Sequence, residues 1–398
     1  MQYSHIILAF KRLYIGDNCM GQVRNIKAEV ERLLWGIAAG RCEFEGCNKV
    51  LYRHEVTGDN GNYAEKAHIY AVNPGGARFC PDSEEFKNNV DNLMLACPQC
   101  HVTIDRDEQT YTPERLFEMK RKHEKRIFTL TCIGAELKSH MVHYTANIAG
   151  SELMVNDGDA RNALALFGRY PTEESPIDIG QKGNLTSDCE DGFFALSARN
   201  LYRAVKARIF DIVSSGESIA LFALAPQPLL MYLGYLLNDK YNVSVFQCHR
   251  RSTDKWRWED DCKRVIFQRN YPPSESADAQ RIALVFSLSS SICHSRISSV
   301  LGDEVLIYTI TIAEPNRSFV TNPNILDDFI TETRKMMEII KQRHGKAIEV
   351  NVFPAMPASL AVRFGMDYMS KTDNPLVIYD EQPEKGFVKA LMLGGEEQ

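Results

Sequence analysis

Ile219-Ala220-Leu221-Phe222-Ala223-Leu224-Ala225-Pro226 returns later in the chain as Glu349-Val350-Asn351-Val352-Phe353-Pro354-Ala355-Met356-Pro357. In each copy a Phe is followed four residues on by a Pro and twelve on by a Gly: Phe222, Pro226, Gly234 and Phe353, Pro357, Gly365. Leu229 and Leu360 match too, and both copies run into a β-rich segment, 243–246 and 377–379. The pattern is strand, Pro turn, helix, strand, which is half of a parallel α/β layer. Two such halves predict a pseudo-symmetric pair of doubly wound units. Open α/β sheets bind ligands at the carboxyl ends of their strands. The Pro turns 223–228 and 354–359 are at such ends, as is the serine-rich turn 287–291 after a strand at 282–286. A pseudo-twofold pocket suits a ligand that is itself nearly twofold symmetric.

Outward from the repeat, 398 residues are enough for two or three domains. A content of 44% hydrophobic and 25% charged residues is that of an ordinary globular protein. The first apolar run, 6–10, is too short for a signal peptide, and nothing later approaches a membrane span, so a cytoplasmic location with no membrane partner is expected. The net charge of −6 is unevenly placed. Residues 1–130 hold 18 Lys/Arg against 18 Asp/Glu, and the remainder 28 against 34. A neutral first part with a local basic segment can bind DNA, whereas the acidic second part is a poor nucleic-acid surface. The boundary is expected near 145, with domains 1–145 and 146–398 and halves of the second at 146–275 and 276–398.

In a reducing compartment clustered cysteines read as metal ligands rather than disulfides. Cys42 and Cys47, then Cys97 and Cys100, have the spacing of a four-thiolate structural Zn2+ site. An amphipathic helix through Val23, Ile26, Val30, Leu33, Leu34 and Ile37 leads to Gly40 and the first cysteine. Residues 48–68 read as a hairpin region, 72–91 as a long surface loop, and 93–105 as a strand end and short helix. Strand, strand, helix around a metal is a ββα unit. Thr112-Pro113-Glu114 starts a further helix carrying Lys120, Arg121, Lys122, Lys125 and Arg126, which reads either as a solvated face or as a phosphate-contacting one.

Phosphodiester hydrolysis needs a base to activate water and an electrophile to neutralise developing charge. His68 is the candidate base, with an ordinary pKa suited to that task. Asn92 can hold the imidazole or the strand pair by amide hydrogen bonds. Four thiolates fill a tetrahedral site, so His101 is left to face a second, catalytic metal, with Asp105 on the same helical face as a further ligand or supporting partner.

Ala67-His68-Ile69, Asp91-Asn92-Leu93 and Cys97-Pro98-Gln99-Cys100-His101 resemble the HNH (His-Me finger) endonuclease motif in its zinc-stapled form. The resemblance covers roughly 40–110 and implies that His68 is the general base, His101 a ligand of Mg2+ (or Mn2+) and Asn92 a supporting residue. Many members place an acidic metal ligand directly before the base; here Ala67 stands there, and Asp105, Glu65 or Asn92 would supply the missing ligand. The second part resembles the SAVED domain, a fused pair of CARF-like, Rossmann-like halves that binds cyclic oligonucleotides. The residues that carry this are 222–234, 243–247 with Lys255-Trp256-Arg257-Trp258, and 353–365. Together the two resemblances are those of an effector endonuclease of CBASS anti-phage systems. They imply a cyclic dinucleotide, made by a partner nucleotidyltransferase, that binds SAVED and promotes homo-oligomerisation from a dimer upward. The HNH domain would then degrade double-stranded DNA with little sequence preference.

Bases of such a ligand would stack on Trp256, Trp258 or Tyr232, although both tryptophans also read as strand packing. Its phosphates would meet Arg250, Arg251, Lys255 or backbone N–H groups of the 287–291 turn, and the pocket would include Ser289, Ser290, Ala355, Met356 and Pro357. Two rival readings are a restriction-type HNH enzyme whose second domain reads DNA or modified bases, and a non-catalytic sensor whose zinc module only scaffolds assembly.

Overall fold

A computed structural model describes residues 26–151, 153–180, 187–249, 252–259, 261–272 and 281–394. The chain divides into two compact units, Met1–Cys132 and Ile133–Gln398. The division falls before the boundary expected near 145. The cause is a strand rich in polar residues, Lys138–Thr145, which is central to the second unit's first sheet.

In the first unit α1 (Ala28–Ile37) ends in a turn where Gly40 takes a positive φ. Its Leu34 is buried, whereas Val23 of the expected helix lies outside the described residues. Strands β1 (Glu65–His68) and β2 (Leu93–Ala96) pair antiparallel, His68 opposite Leu93, and α2 (Pro98–Arg106) follows at once. Helix α3 (Pro113–Thr131) starts as its sequence dictates, with the Thr112 hydroxyl accepting the Arg115 N–H and Pro113 in the first turn. The core joins Leu34, Leu51, Ile69, β2, Ile104 and Leu116.

The second unit begins with β3 (Lys138–Thr145), α4 (Asp157–Leu166), β4 (Tyr170–Pro171), β5 (Ile177–Asp178), α5 (Phe193–Arg208) and α6 (Phe210–Ser214). Then come the first repeat, β6 (Ile219–Leu224), α7 (Gln227–Leu237) and β7 (Val243–Phe246), and the short β8 (Gln268–Asn270). Next are β9 (Ile282–Ser287), α8 (His294–Leu301), β10 (Leu306–Thr311) and α9 (Asn324–His344). The second repeat, β11 (Val350–Ala355), α10 (Ala358–Asp367) and β12 (Leu376–Gln382), is followed by β13 (Gly386–Leu393). One sheet runs β4-β3-β6-β7 with β5 also on β3, and its described pairings are parallel. The other runs β13-β12-β11-β9-β10-β8, parallel at its centre with antiparallel edges. Thus β8, expected in the first half, joins the second sheet.

Strands β3-β6-β7 and β9-β11-β12 are equivalent trios, and side-chain alternation sets their faces. Leu221, Leu284 and Val352 point into one shared core with α7 and α10. Phe222 and Phe246 point to the opposite face of the first sheet, Phe353 and Tyr379 to that of the second. Each pair stacks with ring centroids 4.5 Å apart, so the repeat holds to the level of single side chains.

The repeated glycines explain how the halves meet. A Cβ at Gly234 would stand 2.0 Å from the Val362 carbonyl oxygen, and one at Gly365 only 1.9 Å from that of Met231. Helices α7 and α10 therefore cross backbone to backbone, an approach only glycine allows. Gly365→Ala should destabilise the second unit by about 1–3 kcal/mol or more, read as a lowered denaturant midpoint. An unchanged midpoint would refute the crossing as drawn.

Candidate functional site

In the first unit the cysteines converge because β2 delivers Cys97 as the cap of α2 beside the turn that holds Cys42 and Cys47. The four Sγ atoms lie within 4.8 Å of one another. Tetrahedral Zn–S bonds of about 2.3 Å put sulfurs about 3.8 Å apart, and Cys47 Sγ lies 3.9 Å from Cys97 Sγ. The Cys97 N–H donates to Cys42 Sγ (3.3 Å) and the Cys100 N–H to Cys97 Sγ (3.4 Å), bonds that favour thiolates. Burial nevertheless pushes the Cys42 thiol up to about 12 and that of Cys100 higher still, whereas N–H and S–H donors outweigh burial at Cys97 and lower it. Four sulfurs gathered at this spacing, two of them accepting backbone N–H groups, can hold a metal such as zinc.

His68 closes β1 and its Nε2 lies 3.1 Å from the Lys87 carbonyl oxygen. A carbonyl only accepts, so Nε2 carries a proton and donates to it. Asn92, buried directly before β2, accepts the Tyr70 N–H (2.8 Å) and donates to the Tyr70 carbonyl (3.1 Å). Of the two roles open to it, it fixes the strand pair rather than the imidazole. His101 is partly exposed on α2, with Nε2 3.4 Å from Asp105. The other Asp105 oxygen accepts from the buried Arg78 (2.7 Å), whose guanidinium also donates to the carbonyls of Ile69 and Ile104. Asp105 thus orients His101. Arg78 escaped the sequence reading because it sits in a Gly/Pro-rich loop. On α3, Lys120 is not a phosphate contact: it is buried between Glu43 and Glu124, and burial pushes Glu43 up to about 7 even with that lysine beside it.

In the second unit a cavity of about 850 Å3 opens at the strand ends, within the size range of small-molecule sites. It is lined at or just beyond the ends of all six central strands: by Ile148 and Ala149 after β3, Leu224–Gln227 at the end of β6, and Gln247 and Cys248 after β7. The second half supplies Ser289 and Ser290 after β9, 354–358 around the end of β11, and Asp380, Glu381 and Pro383 at β12. Both repeat prolines line it, so α7 and α10 start there. Gln227 and Ala358 are first helical residues, whose N–H groups have no intrahelical acceptor and sit at the positive end of the dipole.

Ser289, Ser290, Ala355, Met356 and Pro357 line the cavity as expected. The other expected contacts do not. Trp256 is buried edge-on against Phe222, and Trp258 stacks on Phe246. Tyr232 packs beside Tyr235 on α7, and Lys255 lies exposed with its carbonyl accepting the His249 N–H. Arg250 and Arg251 lie outside the described residues. In the serine turn the Leu288 and Ser289 N–H groups are spent on the Ala355 carbonyl. Arg317, from the loop after β10, is instead the only cation among the described lining residues.

The opposite wall is acidic. Asp188 accepts the N–H groups of Ala149 (2.7 Å) and Gly150 (3.2 Å), and its carbonyl accepts Gln382 Nε2 (2.8 Å). Glu381 pairs with Arg296 at 2.6 Å. Burial, then Asp188 and Glu381, push the Asp380 carboxyl up to about 7.

Residues 201–393 match the family described as the SMODS-associated and fused to various effectors sensor domain, SAVED. The second unit carries such a sensor domain. Among solved structures, the chain is similar to the Acinetobacter baumannii Cap4 SAVED/CARF-domain containing receptor. With the cyclic trinucleotide 2'3'3'-cAAA that receptor gives 11% identity, coverage of 78% of this chain and 66% of that one, and a TM-score of 0.41. With 3'3'3'-cAAA the values are 10%, 79%, 67% and 0.41. The Moraxella osloensis Cap4 receptor gives 8%, 77%, 66% and 0.37. The chain thus spans about two thirds of the length of these receptors. No curated protein matches the sequence. Among the described residues no helix is long and apolar enough to cross a membrane.

Two outcomes follow from this chemistry. Cys97→Ser should release the metal and unfold the first unit, seen as lost zinc by elemental analysis with a lost unfolding transition; full zinc content would show the cluster is not the site. The folded Asp380 holds its proton up to about pH 7, whereas the unfolded carboxyl loses it near pH 3.9. Stability therefore falls between those values and stays lower above them. Asp380→Asn should raise the melting temperature at pH 8 and leave it unchanged below pH 4. The reverse order would refute the burial argument.

Proposed function

We propose that this protein is a ligand-gated DNA endonuclease of CBASS anti-phage defence. A cyclic oligonucleotide made by a partner nucleotidyltransferase binds the SAVED pocket, promotes self-association and licenses metal-dependent hydrolysis of double-stranded DNA. One observation carries the sensing half: within a SAVED domain, six strand ends and two helix starts related by a pseudo-twofold enclose one cavity. That symmetry favours a cyclic dinucleotide. The helix starts and Arg317 suit its phosphates. A domain that reads duplex DNA would present a basic face, whereas this wall holds Asp188, Asp380 and Glu381.

The nuclease half rests on the ββα unit. His68 takes a proton from water, Asn92 fixes the strand pair that carries this histidine, and Asp105, held by Arg78, orients His101. His101 is the residue that would hold a divalent cation such as Mg2+. Bound there, the cation would stabilise the charge that develops on the phosphate. A ligand can switch such a centre only by binding one state more tightly than another.

The test screens cyclic di- and trinucleotides for activation of plasmid cleavage in magnesium, with assembly mass measured in parallel. At least one should activate and enlarge the assembly; no response to any favours the restriction reading. His68→Ala should keep zinc, fold and ligand binding while cleavage falls about 10²–10⁴-fold. Cutting at the wild-type rate by that variant would remove His68 from the mechanism.

A further inference from the structure

The two halves of the pocket are alike in backbone and differ at several side chains, of which one pair differs in its hydrogen bonding. Ile219 pairs with Val243 in the first half, and its repeat partner Val350 pairs with Leu376 in the second. Counting along both strands, Phe246 corresponds to Tyr379, and the next residue, Gln247, corresponds to Asp380. Both line the cavity.

Gln247 is committed to the protein. Its Oε1 accepts the Ser359 N–H (3.1 Å) and hydroxyl (2.7 Å) at the start of α10, and its Nε2 donates to the Cys248 carbonyl (2.8 Å). The repeat equivalent of Ser359 is Pro228, which has neither an N–H nor a hydroxyl. Asp380 therefore faces a helix start that cannot offer it the same bonds, and no hydrogen bond or ion pair to its carboxyl appears among the described residues. Glu381 and Asp188 have theirs. Its corner is thus rich in acceptors and short of donors.

Given the reading of this cavity as a cyclic-oligonucleotide site, we infer that Asp380 accepts a hydrogen bond from the exocyclic amino group of one base, so that the pocket selects its ligand in one of its two equivalent halves. The amino group is N6 of adenine or N2 of guanine. A base with only a carbonyl or hydrogen there sets an acceptor against the carboxyl or leaves it unpaired, which is costly once water is expelled. Burial, with Asp188 and Glu381 beside it, raises the Asp380 carboxyl, and no described residue donates to it.

Hypoxanthine is the natural control, since it lacks both amino groups. Isothermal calorimetry at pH 8, where the carboxyl is ionised, would use cyclic di- and trinucleotides of adenine, guanine and hypoxanthine against wild type, Asp380→Asn and Asp380→Leu. Wild type should bind an adenine or guanine ligand about tenfold or more tightly than its hypoxanthine counterpart, and the better of the two names the base. Asp380→Leu should erase that preference, and Asp380→Asn, which keeps one acceptor oxygen, should retain part of it. Neither variant should melt below wild type at pH 8, because no internal bond is lost; if Asp380→Leu does, the Asn variant and the wild-type comparison still decide. Equal wild-type affinities, or a preference that survives Asp380→Leu, overturn the inference and leave the sensing role standing. Failure of wild type to bind any of the six ligands overturns both.

Discussion

The contact on which the second unit depends is the backbone-to-backbone crossing of α7 and α10 at Gly234 and Gly365. Each glycine sits against a carbonyl of the other helix, so neither helix can shift without opening a gap or a clash. That crossing is reinforced at the helix starts, where Met356 N–H donates to Gln227 and Gln247 accepts from Ser359. These bonds run from one repeat to the other. A symmetric core contact thereby fixes two helix N-termini beside one cavity, and a binding site follows from packing rather than from any dedicated loop.

The first unit solves its positioning problem by another route. Among the described residues its sheet has two strands of four residues, too little to fix side-chain positions by burial alone. Local cross-links substitute for area. The four cysteines tie the 42–47 turn to α2, the Glu43 carboxylate accepts the Leu95 N–H (2.6 Å), and Asn92 brackets Tyr70 from both sides. Arg78 completes the set by joining the long loop to α2 and to the end of β1. His68 and His101 ride on these clamps.

What was legible in the sequence was what local pattern encodes. The repeat gave the parallel strand–helix–strand units because alternation, Pro turns and helical spacing all act within about thirty residues. The cysteine spacing gave the cluster for the same reason. The pocket walls from 289–290 and 355–357 were found because strand ends are predictable sites. Trp256 and Trp258 were misplaced because an aromatic pair among cations reads equally as a stacking platform and as packing; here Phe222 and Phe246 leave an apolar outer face that must be covered. Asp188, Arg317 and Arg78 come from loops without periodicity, and their partners lie far away in sequence. The early start of the second unit was missed because Lys138–Thr145 carries two histidines and a serine in a buried strand.

A duplicated fold offers two equal half-sites, and a ligand with two different ends requires them to differ. In this chain the difference arises from a single backbone consequence. Proline at position 228 is well tolerated in the first turn of α7, where its missing N–H breaks no helical bond. The same substitution removes the donor that the equivalent Ser359 offers in α10. The side chain facing each helix start then has a different status, a spent amide in Gln247 and an unspent carboxyl in Asp380. Chemical asymmetry enters the pocket without disturbing the crossing helices that build it, which is why scaffold and selectivity can vary independently.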